Sequence, residues 1–242
     1  MIDIINLSHR FSNGILGLDD INLSISEGEF VVIGGLNGSG KTTLLKHLNG
    51  LLLPDTGMVR LDGISVSKNL MRARQLVGMV FQDADSQIVG ETVYDDVAFG
   101  PENLCLDRNE IKKRVHDALT CVGLVNLSYQ RPHVLSGGEK RRLAIAGILA
   151  MESKILVFDE PFSNLDYPGI QQVLEQILSL HASGHTILIA THDLEDVIVC
   201  ADRLVLMKDG KVVKNGRPAA LTGALVQLGM REPRTVCSEM EI

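Results

Sequence analysis

The stretch that decides the fold is Gly34-Gly35-Leu36-Asn37-Gly38-Ser39-Gly40-Lys41-Thr42-Thr43. It lies between an apolar run, Phe30-Val31-Val32-Ile33, and a helix-like run, Leu44-Leu45-Lys46-His47-Leu48. The pattern G-x-x-x-x-G-K-T between a strand and a helix is typical of a phosphate-binding loop. Its glycines let backbone N–H groups approach an anion closely, and the positive end of the following helix also attracts the anion. The stretch therefore predicts a binding site for phosphate groups.

Two side chains at the end of this loop favour a nucleotide that is bound together with a metal ion. We expect Lys41 to reach the β- and γ-phosphates, and the Thr42 hydroxyl to ligate Mg²⁺. The alternative is a glycine-rich turn followed by a chance Lys-Thr pair, which the flanking strand and helix disfavour.

The composition argues against several classes of protein. The 242 residues are 45% hydrophobic, which is enough for one large domain or for one domain with a small lobe. A formal net charge of −7 argues against nucleic acid as the main partner, because nucleic-acid binding usually needs a basic face. The cysteines form no C-x-x-C pair, which disfavours a disulfide framework or zinc site and favours a reducing compartment. They are Cys105, Cys121, Cys200 and Cys237.

The apolar runs are too short for a membrane span, which needs about 18–20 residues. The first residues, Met1-Ile2-Asp3-Ile4-Ile5, place no basic segment before the apolar ones, unlike a signal peptide. We therefore expect a cytoplasmic chain that reaches a membrane only by docking on a partner there.

The hydrophobic pattern of the remaining chain predicts an α/β fold. Residues 2–25 alternate between apolar and polar and are broken by Ser12-Asn13-Gly14, which predicts a small antiparallel sheet. Further predicted strands are residues 58–61, 77–81, 155–158, 186–190, 203–207 and 212–214, the last two forming a hairpin. Predicted helices are residues 69–75, 107–123, 135 to about 151, 169–182, 193–200 and 219–228. Residues 231–242 carry no structural prediction.

The helix at residues 107–123 has Asp107 as its predicted cap, and its apolar face is Ile111, Val115, Leu119 and Val122. With its flanking segments it resembles a helical subdomain, about residues 84–152, inserted between two strands of the main sheet. A region with many loops and an excess of apolar residues precedes this helix. Some of these residues must belong to the core, and the others form a candidate docking surface. They are Ile88, Val89, Val93, Tyr94, Val97 and Phe99.

Two acidic residues follow the continuous apolar run Ile155-Leu156-Val157-Phe158, which suits a strand buried on both faces. Asp159 is placed to hold Mg²⁺ through water, and Glu160 to polarise an attacking water molecule. The alternative is a polar strand end that faces solvent. The phosphate loop upstream favours the catalytic interpretation.

Ser136-Gly137-Gly138 opens a predicted helix and forms a second anion-binding device, with a hydroxyl, two unhindered glycines and a helix dipole. One chain already has a phosphate loop, so this device would take a phosphate held elsewhere. The alternative is a simple helix cap, because serine is common at that position.

Three further residues are candidates for the site, and two of them, Asp166 and Phe11, have a purely structural alternative. His192 follows a predicted buried strand and is placed to hydrogen-bond a γ-phosphate, whereas the other histidines default to ordinary surface or core positions. Asp166 is a loop carboxylate near the catalytic strand, or an Asx turn or helix cap. Phe11 either presents its ring to an adenine or belongs to the core of the small sheet.

Taken in order, these motifs resemble an ABC-type ATPase subunit, and the resemblance covers residues 2 to about 217. Its parts are the phosphate loop, Gln82 after a strand, Leu135-Ser136-Gly137-Gly138, the strand ending in Asp159-Glu160, Ser163-Asn164-Leu165-Asp166, and the late His192. It implies a P-loop NTPase (RecA-like) core with an antiparallel β subdomain and the inserted helical subdomain. Residues 1–242 would form a single domain that ends in a short helix and tail at 218–242.

The same resemblance implies ATP and Mg²⁺ as cofactors and assigns roles to residues. Glu160 would be the catalytic base and His192 the switch histidine, while Gln82 would join Mg²⁺ and water to a membrane subunit. Mg²⁺ would be held by Thr42, Gln82 and Asp159. ATP would be contacted by Phe11, Gly35, Leu36, Asn37, Gly38, Ser39, Gly40, Lys41, Thr42, Thr43, Ser136, Gly137, Gly138 and Asp166.

In that family two subunits sandwich two ATP molecules head to tail, and residues 136–138 of one subunit touch the γ-phosphate held by the other. This would supply the external phosphate inferred above. Two departures from the family pattern matter. Glu139 stands where the signature usually has Gln and brings a negative charge near the partner nucleotide. Phe11 replaces the usual Tyr, and a phenyl ring still stacks on adenine.

More specific stretches resemble the energy-coupling-factor ATPases, which drive uptake of vitamins and of cobalt or nickel. They are residues 46–52, 80–87, 97–101 and 144–151. The resemblance implies a second ATPase subunit (identical or related), a transmembrane coupling subunit and a substrate-binding membrane protein as partners, and no nucleic acid. The chain would be peripheral at the cytoplasmic face of the membrane. Its transported substrate, a metal ion or a vitamin such as biotin, is not encoded in these motifs.

Other functions share part of the pattern. Another ABC importer or an exporter is the main alternative. A DNA-repair ATPase of this type would carry a long coiled coil between Thr42 and Leu135, where no sustained heptads occur. A translation factor would carry two cassettes, and a scaffold that does not hydrolyse ATP would not need Glu160 and His192.

Overall fold

Two β-sheets organise the chain, which the computed structural model describes over residues 1–233. The strands of this part are β1 (Ile2–Arg10), β2 (Leu16–Ile25), β3 (Phe30–Gly34), β4 (Thr56–Leu61), β5 (Ile64–Ser65), β6 (Val77–Val80), β7 (Ile155–Asp159), β8 (Thr186–Thr191), β9 (Arg203–Lys208) and β10 (Lys211–Gly216). Its α-helices are α1 (Lys41–Leu48), α2 (Leu70–Leu76), α3 (Val93–Asn103), α4 (Arg108–Cys121), α5 (Gly137–Ala150), α6 (Tyr167–Ala182) and α7 (Pro218–Gln227).

The larger sheet has the strand order β10-β9-β3-β8-β7-β6, in which β9 through β6 run parallel and β10 closes the edge as an antiparallel hairpin with β9. The smaller sheet, β2-β1-β4-β5, is antiparallel throughout. The predicted α/β core, antiparallel sheet and closing hairpin are therefore confirmed.

The central parallel strands are buried on both faces because alternate side chains enter two different cores. In β3, Phe30 and Val32 pack on one side, while Val31 and Ile33 pack on the other. The first core is completed by α3 through α7, and the second by α1, α2 and the small sheet. This explains why these strands appear in the sequence as continuous apolar runs.

The start of α4 agrees with its predicted cap. The Asp107 carboxylate accepts hydrogen bonds from the backbone N–H groups of Asn109 (2.9 Å) and Glu110 (3.1 Å). Val115 and Leu119 of its apolar face are fully buried. Helices α3, α4 and α5 pack against one another beside the main sheet, and the boundary of a helical subdomain at residues 84–152 stays a prediction.

Helix α3 is absent from the sequence-based prediction, which treated its region as loops. The sequence Gly100-Pro101 near its end obscures the signal, but Thr92 and Asp95 form a capping box that starts the helix. Val93 and Val97 are fully buried within it. Of the six candidate docking residues, Val93 and Val97 therefore belong to the core.

A predicted helix at residues 193–200 is also wrong, because only the 3₁₀ turn Ile198–Cys200 forms there. The Asp193 carboxylate accepts from the Glu195 backbone N–H at 3.1 Å, and the Thr191 hydroxyl accepts from the Asp193 N–H at 3.1 Å. Such local side-chain bonds offer the backbone an alternative to a helical turn.

The C-terminal part agrees with the prediction for residues 219–228, where α7 forms. Of the tail without a prediction, residues 234–242 lie outside the described residues. Among residues 1–233, none of the helices combines the length and apolar character that crossing a bilayer requires.

Candidate functional site

The parallel register brings three predicted motifs to one edge of the main sheet. Gly34, at the end of β3, lies opposite Thr191 of β8, and Asp159, at the end of β7, lies opposite Ala190 of the same strand. The phosphate loop (residues 35–43), Asp159-Glu160 and His192 therefore leave the sheet side by side. This carboxyl edge is where open α/β sheets bind ligands.

The phosphate loop is a cradle that side chains would fill. A Cβ on Gly35 would lie 2.5 Å from the Met207 carbonyl oxygen and 2.5 Å from the Ser39 hydroxyl. Gly40 has a φ of 102°, and a Cβ there would lie 2.9 Å from the Gly17 carbonyl. Close packing and left-handed backbone thus exclude other residues at these two positions. The loop fits an anion held by backbone N–H groups.

Lys41 points back over this cradle and is only 5% exposed. Its Nζ donates to the carbonyl oxygens of Gly35 (2.8 Å) and Leu36 (3.3 Å) and lies 3.6 Å from Glu160 Oε1. Burial lowers the pKa of Lys41, while the nearby carboxylates act in the opposite direction. A buried cation at the mouth of an anion cradle suits a polyphosphate.

Thr42 and Asp159 form an oxygen pair beside the cradle. The Thr42 hydroxyl donates to Asp159 Oδ1 at 3.0 Å, and burial raises the pKa of Asp159. Within residues 1–233 no group of three or more His, Cys, Asp or Glu side chains is placed to hold a metal ion. One hydroxyl and one carboxylate nevertheless fit Mg²⁺, which commonly takes one or two carboxylates and completes its shell with phosphate and water oxygens.

Glu160 is held in a fixed position by its neighbours and is 7% exposed. Its Oε2 accepts from the Thr191 hydroxyl at 3.0 Å and lies 3.0 Å from His192 Nδ1, and its Oε1 accepts from the His192 N–H at 3.1 Å. Its φ of 49° is left-handed, which is unusual for a residue with a side chain. Strained backbone of this kind is concentrated at functional sites.

Lys41, Thr42 and Glu160 all line one cleft of about 610 Å³. Its lining includes Phe11, residues 37–43, Gln82 and Glu160. Phe11 is 37% exposed, and its ring packs against Gly17, where a Cβ would lie 2.6 Å from the ring. An adjoining cavity of about 390 Å³ contains Gln82, Glu160 and His192. Gln82 therefore borders both spaces.

The predicted signature residues are not part of this cleft. Ser136 is exposed at the start of α5, where its hydroxyl accepts from the Glu139 N–H and donates to the Glu139 carboxylate at 2.8 Å. Hydrogen bonds from the Ser136 backbone and hydroxyl lower the pKa of Glu139. Gly137 and Gly138 follow in the first turn, outside the residues that line the cleft.

Asp166 is likewise outside the cleft. It caps α6, with its Oδ1 accepting from the Gly169 N–H at 3.0 Å, in agreement with the simpler alternative of a helix cap.

The sequence reasoning missed several contributors. Thr191 orients Glu160, but nothing in the sequence indicates that the ends of β7 and β8 would meet. Gln87 and Arg141 both bind the backbone near Gln82. The cleft wall also includes Asn13, Ile15, Leu16 and Gly17. In the sequence, Gly17 interrupts the alternation of apolar and polar residues, and a glycine inside a strand often indicates a close approach of other atoms.

Comparison with known sequences agrees with this geometry. The sequence model of the ABC transporter family matches residues 18–163. A Halobacterium salinarum protein that carries the name of an ABC transporter ATP-binding protein is 49% identical over 96% of this chain and 100% of its own length. The energy-coupling factor transporter ATP-binding protein EcfA of Methanosarcina acetivorans is 45% identical, covering 98% of this chain and 87% of its own. The cobalt import ATP-binding protein CbiO of Rhodobacter capsulatus is 42% identical over 95% and 84%.

Solved structures agree as well. The structure of cbiO1 from Clostridium perfringens, part of the ABC transporter complex cbiONQ, superposes with a TM-score of 0.84 at 38% identity and covers 100% of this chain and 98% of that one. The dimeric ABC transporter cassette MJ0796 gives a TM-score of 0.80 at 30% identity, over 90% of this chain and 99% of that one. The same cassette is known in a post-hydrolysis state with ADP and Pi. The chain therefore belongs to the ABC transporter family, as an ATP-binding subunit that hydrolyses ATP.

Proposed function

We propose that this chain is the ATPase subunit of an energy-coupling-factor importer and works as one half of a two-subunit ATP sandwich. The observation that carries the sandwich is that one of the two anion-binding devices of the chain does not line the nucleotide cleft. The phosphate loop lines the cleft, whereas Ser136, Gly137 and Gly138 lie outside it, and the first two of them are exposed. A second subunit, identical or related, would bring its signature residues to the nucleotide held here.

Within the cleft, Phe11 would stack on adenine, and the backbone of residues 35–43 with Lys41 would hold the phosphates. Thr42, Asp159 and Gln82 would hold Mg²⁺, which neutralises charge on the phosphate oxygens when it is bound. The 3.0 Å contact between Thr42 and Asp159 supports this assignment.

Glu160 would act as the general base on the attacking water, because it is an oriented carboxylate in the lining of the cleft. Its hydrogen bonds with Thr191 and His192 hold the carboxylate in place. His192 is half-exposed toward the adjoining cavity and would contact the γ-phosphate. Asp166 would meet the partner subunit beyond the cap of α6.

The membrane partners would dock beside Gln82. Of the apolar residues that follow it, Val89 and Phe99 are 63% and 53% exposed, while Ile88 and Tyr94 are half-buried against the core. A segment that borders the nucleotide cleft at one end and exposes apolar side chains at the other can transmit nucleotide state to a partner. The proposed partners are a transmembrane coupling subunit and a substrate-binding membrane protein, with this chain peripheral at the cytoplasmic face.

The names of two relatives support the proposed substrate class. EcfA is named for energy-coupling factor transport, and CbiO for cobalt import. We propose cobalt or nickel ions, or a vitamin such as biotin, as the transported substrate. Uptake of each can be measured in cells that express the assembled transporter.

The docking part of the proposal is tested by placing a charge at Val89. We expect Val89→Asp to keep the ATP affinity of the isolated subunit, to lose co-purification with the transmembrane coupling subunit, and to abolish uptake, because a charge placed in an apolar contact loses its hydration without gaining a partner. Val226→Asp on α7 is the matched control, since that valine is 62% exposed. Normal co-purification of Val89→Asp would refute docking at this surface. Loss of ATP affinity as well would show that Val89 supports the fold.

A further inference from the structure

The end of β6, where Gln82 begins, is held by side chains on its free edge. β6 pairs only with β7 in the described part of the chain. On its other side, the Gln87 amide accepts from the Phe81 N–H at 3.0 Å and donates to the Met79 carbonyl at 3.1 Å. The segment 82–87 therefore folds back on the strand that it follows.

Arg141 binds the same segment from α5. It is 4% exposed, and its guanidinium donates from Nη1 to the Phe81 carbonyl and from Nη2 to the Gln82 carbonyl at 2.8 Å. The planar guanidinium presents two N–H groups in a fixed fork, which matches two successive carbonyl oxygens. The first turn of α5 carries Ser136 and Glu139, so one side chain joins the backbone of Gln82 to the signature helix.

Packing alone does not explain a cation at this position. Burial lowers the pKa of Arg141, with Asp83 and Asp159 acting in the opposite direction, and its Nε has no hydrogen-bond partner. An aliphatic side chain would fill the same space without the cost of desolvating a charge. The arrangement is therefore best explained by its two hydrogen bonds to the Gln82 segment.

We propose that Arg141 is a positioning residue for ATP hydrolysis, which fixes the backbone of Gln82 to the start of α5. The Gln82 side chain and the signature segment then hold one relative position, and Gln82 enters the cleft only in that arrangement. This inference rests on the proposed role of Gln82 at the nucleotide.

A second contact between α5 and the same segment provides a matched control. Lys140 Nζ lies 2.6 Å from Asp85 Oδ1, but Asp85 is well exposed to solvent. Exposed ion pairs of this kind contribute little. Lys140→Ala thus removes a cation from the neighbouring position without touching the carbonyls of Phe81 and Gln82.

The test is a double-mutant cycle on the purified full-length chain, with kcat and KM for ATP and the melting temperature measured for each variant. We expect Arg141→Met to lower kcat about 10-fold, as is typical of residues that orient a functional group, and to change KM for ATP by less than about twofold. In the Gln82→Ala background, Arg141→Met should have no further effect on kcat, because the group it positions is gone. Lys140→Ala should keep kcat within about twofold.

Arg141→Lys keeps the charge without the fork and should give an intermediate kcat; it replaces Arg141→Met in the cycle if the methionine variant does not fold. Effects of Arg141 and Gln82 that multiply in the double variant would overturn the proposal, since Arg141 would then act on the fold in general. Wild-type kcat in Gln82→Ala would overturn it differently, by removing the role proposed for Gln82. The two failures are distinguishable because the second appears in the single variant.

Discussion

The phosphate loop and the signature segment (residues 135–139) both end at the N-terminus of a helix, but the chain treats them differently. Around the loop, Lys41 and Glu160 are buried and form an ion pair, and Glu160 also accepts a hydrogen bond from Thr191 of β8. In the signature segment, Ser136 is exposed, and its hydrogen bonds go to Glu139 in the first turn of α5. The first device is completed by the fold of one chain. The second satisfies its hydrogen bonds within its own turn, and in the proposed sandwich it would meet the nucleotide held by the partner subunit.

The largest effect is expected for Glu160→Gln, beside the phosphate loop. The amide keeps the shape of the carboxylate and cannot accept a proton, so we expect ATP binding to persist while turnover falls by about 10²–10⁴-fold, the usual contribution of a general base. The measurement is ATP hydrolysis alongside nucleotide affinity, with size-exclusion chromatography to detect an ATP-bound dimer that no longer dissociates. Hydrolysis at the wild-type rate would mean that the base lies elsewhere.

Mixing two inactive variants tests whether the two halves meet across subunits. Lys41→Ala removes the cation from the loop, and Ser136→Arg fills the signature, so each chain alone should be inactive. A mixed dimer keeps one site in which both halves are intact, and part of the activity should return on mixing. Ordinary activity of the Ser136→Arg chain alone would instead show that each site is built within one subunit.

The buried half was also the more predictable from sequence. Its signals are local in the sequence. The glycine spacing and the Lys-Thr pair indicate a backbone that approaches an anion, and the apolar run before Asp159-Glu160 indicates a strand inside a sheet. The contacts among Glu160, Thr191 and His192 depend on the β7–β8 register, which no local pattern records. Likewise, Arg141 reaches Gln82 only because α5 packs beside β6.

The errors in the helical region have local causes. The sequence does not predict helix α3, because Gly100-Pro101 suggests a break. In the structure the helix nevertheless continues through Pro101 to Asn103. In the predicted helix at 193–200, Leu194, Val197 and Ile198 have helical spacing, and the structure buries all three. Their burial is real, but the Asp193 turn, which competes with a helix, decides the backbone.

A third prediction concerns Phe11, which is proposed to stack on the adenine of ATP. Stacking of a base on an aromatic ring is worth about 1–3 kcal/mol, so Phe11→Ala should weaken ATP binding by roughly 10-fold. Binding of inorganic tripolyphosphate, which has no base, should not change, and Phe11→Tyr should retain wild-type affinity for ATP. Isothermal titration calorimetry with both ligands separates these outcomes. Equal weakening for both ligands would place Phe11 in the core of the small sheet.

The smallest effect is expected for Glu139→Gln in the signature segment. Glutamine retains the capping geometry at the start of α5 but removes the charge. Hydrogen bonds from Ser136 lower the folded-state pKa of Glu139 below its ordinary value of 4.5, so its contribution is present above that pH and is lost as the pH falls through the folded-state pKa. At pH 7 we expect a loss of at most about 0.5 kcal/mol in the free energy of unfolding, because Ser136 and Glu139 are both in contact with solvent. Urea unfolding at pH 7 and pH 4 should show the difference between wild type and variant shrinking on acidification.

The control Glu175→Gln removes a charge from the middle of α6, away from the N-terminus of that helix, and should show no loss at pH 7. A difference for Glu139→Gln that stays constant or grows at pH 4 would mean that the carboxylate does not stabilise the start of α5 by its charge.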